Sequence, residues 1–230
     1  MRTKKILSAA VLLMLMTVLA ACGSGQQPAS GAVRDLASAS DADDLIVSET
    51  EPLQVSDNMP DGTYDVSLYP GTLELVEGVY TINADFYSYD IYNASDISRL
   101  EEGMLIQYKE DKVLVESLDR SDSGIVDING GTDESGITLV LEEGGQDYSA
   151  VTFDDYKDSY MVGSGRITLD GEVKISDDFG DDPSAQPVTT EGEAAVDYMK
   201  EYYPDDWQAG AVTVVIKDGA ATEITRRWVP

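Results

Sequence analysis

The chain has 230 residues, 44 acidic against 15 basic, a formal net charge of −29, and no histidine. Such a surface repels nucleic-acid phosphates and anionic lipid heads, so no nucleic acid is expected as a partner; it attracts cations and basic protein surfaces, and it keeps a protein soluble. The missing histidines exclude Ser-His-Asp and Cys-His catalysis, imidazole metal sites and imidazole pH switching.

Arg2, Lys4 and Lys5 precede a nearly all-apolar run, residues 6–19, that ends in small residues. The run is short of the roughly 20 residues a permanent span needs, and no cationic flank follows it. It closes on Leu19-Ala20-Ala21-Cys22, where Cys22 is the one cysteine of the chain. This start resembles the signal sequence of bacterial lipoproteins, whose lipobox reads Leu, a small residue, Ala or Gly, then Cys. The resemblance covers the first tenth of the chain, and the body matches no family motif. It implies that residues 1–21 are a signal peptide, that Cys22 carries a diacylglyceryl group, and that the lipid tethers the protein to the extracytoplasmic face of a bacterial membrane. With Cys22 lipidated there is neither a disulfide nor a thiol nucleophile, so stability must come from an apolar core.

Residues 22–60 read as the lipidated Cys and a flexible acidic tether, too poor in apolar residues to offset its ordering entropy. A chain beginning at Asn58 is therefore expected to fold. Residues 61–180 read as a β-rich domain with strands at 63–68, 73–76, 79–92, 104–108, 112–118, 125–128, 137–142, 148–153, 160–169 and 173–176. Met104/Ile106/Tyr108 and Ile137/Leu139/Leu141 each line one face. Pro70-Gly71, Asn129-Gly130-Gly131 and Gly144-Gly145 supply turns. In 79–92 the apolar face runs Tyr80, Ile82, Ala84, Phe86, then shifts to Tyr87, Tyr89, Ile91, which asks for a bulge or break near Phe86–Tyr87. Asp170-Gly171-Glu172 reads as a three-residue hairpin loop that opposes Leu169 to Val173 and Ile167 to Ile175. Gly163-Ser164-Gly165-Arg166 lacks the lysine and helix of a phosphate loop and reads as a bulge or bend.

Residues 181–230 read as linker, helix and hairpin that pack on or extend the β domain, the acidic segment 177–187 being the linker. Thr190 and Glu193 suggest a capping box, and Ala195, Tyr198, Met199 and Tyr202 make a helical stripe that Pro204 ends. Residues 212–217 and 222–229, joined by Asp218-Gly219, make a closing hairpin. The fold class is mainly β (α+β): an antiparallel sandwich or partly open barrel with one helix in its C-terminal region.

No residue is assigned a catalytic role and no cofactor is implied, beyond weak calcium binding. Asp127, Asn129 and Asp133 loosely follow calcium-loop spacing but miss its fifth and twelfth positions; Asp177 and Asp178 form a second acidic cluster. Tyr87, Tyr89 and Tyr92 are the candidate ligand-binding residues, a stacking platform for a glycan or an anchor for a basic protein. The favoured function is a surface-tethered, non-enzymatic envelope lipoprotein. The alternative is a small glycan hydrolase using a carboxylate pair from Asp154, Asp155 and Asp158, beside Phe153 and Tyr160.

Overall fold

The computed structural model describes residues 44–178, 186–201 and 207–227. Cys22 with its lipobox, Tyr202, Pro204 and Val229 lie outside them.

β1 (Leu45–Ile46) opens a strap that runs over residues 47–60 to β2 (Gly62–Val76), which is antiparallel to β3 (Val79–Tyr89). At Asp90 the chain leaves this sheet. It makes β4 (Ile91–Asn93), helix α1 (Ala94–Arg99), β5 (Leu105–Tyr108), β6 (Asp111–Leu114), β7 (Leu118–Arg120), β8 (Ile125–Ile128), β9 (Ile137–Leu141) and β10 (Asp147–Val151). It returns in β11 (Ser159–Asp177), followed by β12 (Val188–Glu191), α2 (Glu193–Glu201), β13 (Val212–Lys217) and β14 (Ala220–Arg226).

Among the described residues the strands form three sheets, ordered β12-β11-β14-β13-β2-β3, β4-β10-β9-β8-β7 and β1-β5-β6. The first half of β11 pairs antiparallel with β3, and its second half pairs in parallel with β14. One strand thus meets both flanks of the six-stranded sheet, which curls around its core. The architecture is mainly β with a late helix and a closing hairpin. That hairpin turns on Asp218 and Gly219, with φ of 52° and 79°, the two left-handed positions a tight hairpin requires. It lies between β11 and β2, inside the sheet.

Each region has its own apolar core. The first gathers Val66, Leu68, Ile82, Phe86, Ile175, Met199, Trp207 and Val214; the second gathers Ile46, Tyr92, Ile97, Ile106, Ile128 and Leu139. Residues beyond 180 supply Met199, Trp207, Val214 and Ile224 to the first core. That core is built from residues before Asp90 and after Ser159, and the second from the segment inserted between them together with Ile46 of the strap. A linear reading cannot see this, because the strand texture is the same on both sides of Asp90.

Residues 44–60, the described part of the expected tether, pack on both cores. Ile46 is 1% exposed in the second core, Met59 is 4% exposed in the first, and Leu53 and Val55 pack against the first. The strap carries few apolar residues, but the two cores receive them. Its backbone is bound too: Glu49 N–H donates to Ile91 O at 2.7 Å and the Thr50 hydroxyl to Tyr89 O at 2.8 Å.

Several local expectations change. The Asp170-Gly171-Glu172 hairpin loop does not form: β11 continues through these residues, which bulge out of its pairing with β14 between Leu169 and Lys174. Positions 167, 169, 173 and 175 are all buried, and a continuous, bulged strand satisfies them as well as a hairpin does. Strands 63–68 and 73–76 are one strand, β2, bulged between Tyr69 and Glu74. The buried phase of β3 holds through Ile82, Ala84 and Phe86, and β3 pairs with β2 from Asn83 to Tyr87 without a shift, so β3 itself carries no bulge there. The bulge lies on β11 between Met161 and Gly163, opposite Phe86–Tyr87. The capping box is absent: Thr190 pairs with Ile175 in β12, and Gly192, at φ 61°, precedes the helix. Ala195 and Met199 are fully buried and Tyr198 packs on the same core, as the stripe requires.

Candidate functional site

Inward residues of β2 and β3 are apolar, so the alternate positions form the outer face. Cross-strand register sets them in rows. Asp65 lies beside Tyr87, which lies beside Met161; Ser67 beside Asp85, beside Ser164; Tyr69 beside Asn83, beside Arg166. The last two rows, apart from the buried Ser67, border an open groove of about 550 Å³, to which Thr72 and the strap residue Asp57 also contribute. Tyr69, 41% exposed, shows its ring to solvent.

The groove is held by a continuous polar network. The Tyr69 hydroxyl donates to Asp85 Oδ2 in a short contact, and the Ser164 hydroxyl donates to Asp85 Oδ1 at 2.5 Å. Thr72 Oγ1 accepts the Asn83 N–H at 2.9 Å and donates to Tyr69 O at 2.7 Å. Arg166 reaches Asn83 Oδ1 at 3.4 Å and Glu74 at 3.4 Å. The bond to Asp85 pushes the Tyr69 phenol up to about 12, so it stays a protonated donor at neutral pH. Chemically the groove offers one aromatic face, a carboxylate, a hydroxyl, an amide and a guanidinium.

A second concavity, a cleft of about 370 Å³, lies where the strap crosses the seam between the cores. Val55 there sits so close to the sheet that a Cβ on Gly163 or Gly165 would come within 3.1 Å of it. The two glycines admit the strap, which is the packing reason for the Gly-Ser-Gly-Arg run. Asp90, 2% exposed, lines the cleft. The Lys109 N–H donates to it at 2.7 Å, delivered by a turn in which Lys109 and Glu110 have φ of 49° and 71°.

The predicted ligand residues do not share one surface. Tyr87 and Tyr89 are half-buried on the outer face, with Ser67 donating to the Tyr87 hydroxyl at 3.4 Å and Lys157 Nζ 4.3 Å from the Tyr89 ring centroid. Tyr92 is excluded from any platform: it is 0% exposed, and its hydroxyl donates to Gln107 O at 2.6 Å. Burial and the nearby Asp90 push its phenol up.

The predicted metal residues serve local ties. Asp127 accepts the Thr138 hydroxyl at 2.6 Å; Asn129 Oδ1 accepts the Glu116 N–H at 2.7 Å and its amide donates to Leu114 O at 2.8 Å. Asp133 is exposed on a 3-10 turn. Asp177 is buried against Arg226, with the Tyr198 hydroxyl at 2.6 Å, while Asp178 is exposed. Among the described residues no three acidic groups converge on a metal position.

Of the proposed carboxylate pair, Asp158 takes the Tyr108 hydroxyl and, at 2.7 Å, the Lys109 ammonium. Asp154 and Asp155 lie exposed on the turn after β10, and none of the three is among the described residues bordering the groove or the cleft. Tyr69, Asn83, Asp85 and Arg166 were not legible as a site, because only the β2–β3–β11 register unites them. Comparison with protein-family models, with curated proteins and with solved structures finds no match to this chain.

Proposed function

We propose that this protein is a lipid-anchored, non-enzymatic binding protein of a bacterial envelope, and that its binding surface is the open groove of Tyr69, Asn83, Asp85, Ser164 and Arg166. The ligand class is a polyhydroxylated molecule, a glycan. One observation carries the reading: an exposed tyrosine ring stands in register with a carboxylate, an amide and a guanidinium on a shallow sheet face. A ring gives a sugar an apolar contact surface, while planar polar groups exchange paired hydrogen bonds with its hydroxyls. The anchoring half of the reading rests on Cys22 and its lipobox; among the described residues no helix is long and apolar enough to cross a membrane.

The test is a titration of the mature protein against a panel of soluble envelope and plant oligosaccharides. At least one binds. Tyr69→Ala weakens it about fivefold to tenfold, and Asp85→Asn weakens it at least about tenfold through loss of a charge-assisted bond. Equal affinity in both variants overturns the groove assignment. For the anchor, Cys22→Ala leaves unprocessed precursor or released protein; normal membrane partitioning and unchanged mass in that variant overturn it.

A further inference from the structure

The strap-covered cleft has a different chemistry from the groove. Its volume of about 370 Å³ is in the range of small-ligand pockets. Asp90, 2% exposed, lines it together with the exposed Glu51 of the strap and the exposed Glu110 of the β5–β6 turn. None of the described residues lining it is a lysine or an arginine. The nearby Lys109 side chain is directed away, to Asp158 at 2.7 Å.

Asp90 is anchored on one oxygen by the Lys109 N–H, whereas the Tyr160 hydroxyl stands 3.5 Å from the other. A buried carboxylate is stabilised most by a charged hydrogen-bonding partner. The lining contains no side-chain cation to supply one. The phenol of Tyr160, which also lines the cleft, is pushed up first by burial and then by the charge of Asp90.

We propose that this cleft is a binding site for a small organic cation carrying a primary ammonium group, the ammonium docking at Asp90 within the field of Glu51 and Glu110. Ser88 and Gln107 line the same space and offer polar groups to the rest of the ligand. The site shares only its edge residue Ser164 with the glycan groove, among the described residues, and does not depend on that reading. Linear diamines and amino sugars share the recognised group.

Isothermal titration of the full mature chain with putrescine and with glucosamine tests it, beside sodium chloride at matched ionic strength and the neutral N-acetylglucosamine. The expected result is saturable one-to-one binding of at least one amine, with no competition from the neutral sugar. Putrescine alone assigns a linear amine, and glucosamine alone an amino sugar. Glu51→Gln and Glu110→Gln each weaken binding about threefold to tenfold, while the groove variant Tyr69→Ala leaves it unchanged. Asp90→Asn weakens it more than about tenfold; if that variant fails to fold, judged by Trp207 fluorescence, the Glu51→Gln/Glu110→Gln double variant decides. The proposal is overturned if neither amine binds beyond the salt control, or if the double variant binds as the wild type does.

Discussion

The six-stranded sheet and the segment inserted into it use their polar residues in opposite ways. In the inserted segment they close the structure on itself. Arg120 donates to the carbonyls of Ile97 and Leu100 at 2.6 and 2.9 Å, satisfying the end of α1, and Asn129 ties β6 to the turn after β8. On the outer face of β2, β3 and β11, Tyr69, Asp85, Asn83 and Arg166 join one another along an open groove. Polar groups that bind backbone are committed to the fold, whereas side-chain pairs in open solvent are free to exchange partners with a ligand. Of the residues with calcium-like spacing, Asn129 belongs to the first kind.

The strap joins these two regions, and removing it has the largest expected effect. A chain beginning at Asn58 loses Ile46 from one core and Leu53 and Val55 from the other, about 4–6 kcal/mol of burial. It should unfold at much lower urea than a chain beginning at Asp44. Equal midpoints would return these residues to the role of a tether.

Single core substitutions ask whether the regions unfold together. Phe86→Ala removes a fully buried ring packed edge-on at 5.8 Å from Tyr64 and should cost about 3–5 kcal/mol. Ile106→Ala, in the other core, should cost about 2–5 kcal/mol. Followed by the fluorescence of Trp207, which is buried in the first core, both should shift the transition. A Trp207 transition that ignores Ile106→Ala would show two independent units. Within the first core, Asp177→Asn leaves Arg226, 2% exposed beside the Trp207 ring, without its carboxylate; a loss of about 3–5 kcal/mol is expected, and a loss below about 1 kcal/mol would contradict a structural role.

Much of the fold was legible from alternation alone. β5, β8, β9 and β13 stand at or within a residue of where the pattern sets them, because each has a single buried face. The rest failed where two structures satisfy one pattern. Ile167, Leu169, Val173 and Ile175 are buried equally well by a hairpin and by a continuous strand bulged between Leu169 and Lys174, and Asp-Gly tipped the reading toward the turn. The strap's Ile46 and Val55 are isolated apolar residues whose burial depends on distant partners. Tyr92 was grouped with Tyr87 and Tyr89 by proximity in sequence, although it points into the other core. The groove needed the β2–β3–β11 register, which brings Arg166 to Asn83, 83 positions away.

The smallest expected effects distinguish the regions by sign. Glu142, held by the Ser149 hydroxyl and Lys157, lies below its ordinary value of 4.5. Its stabilisation is present above pH 4.5 and is lost as pH falls through the lowered folded value. Asp65, on the sheet face, lies above its ordinary value of 3.8, chiefly through burial. Its penalty is present above the raised value and is relieved as pH falls through it. Glu142→Gln should therefore destabilise at pH 7 and Asp65→Asn should not, both within about 1 kcal/mol because the groups are partly solvated. Thermal melts at pH 7 and pH 4 check both signs.

The most direct test of the account is a residue-resolved amide NMR titration of the mature protein with the oligosaccharide panel. The account predicts shifts concentrated at Tyr69, Asn83, Asp85, Ser164 and Arg166, with the Asp127–Thr138 region unmoved. Shifts confined to Asp127–Thr138, or no shift with any oligosaccharide, would contradict it.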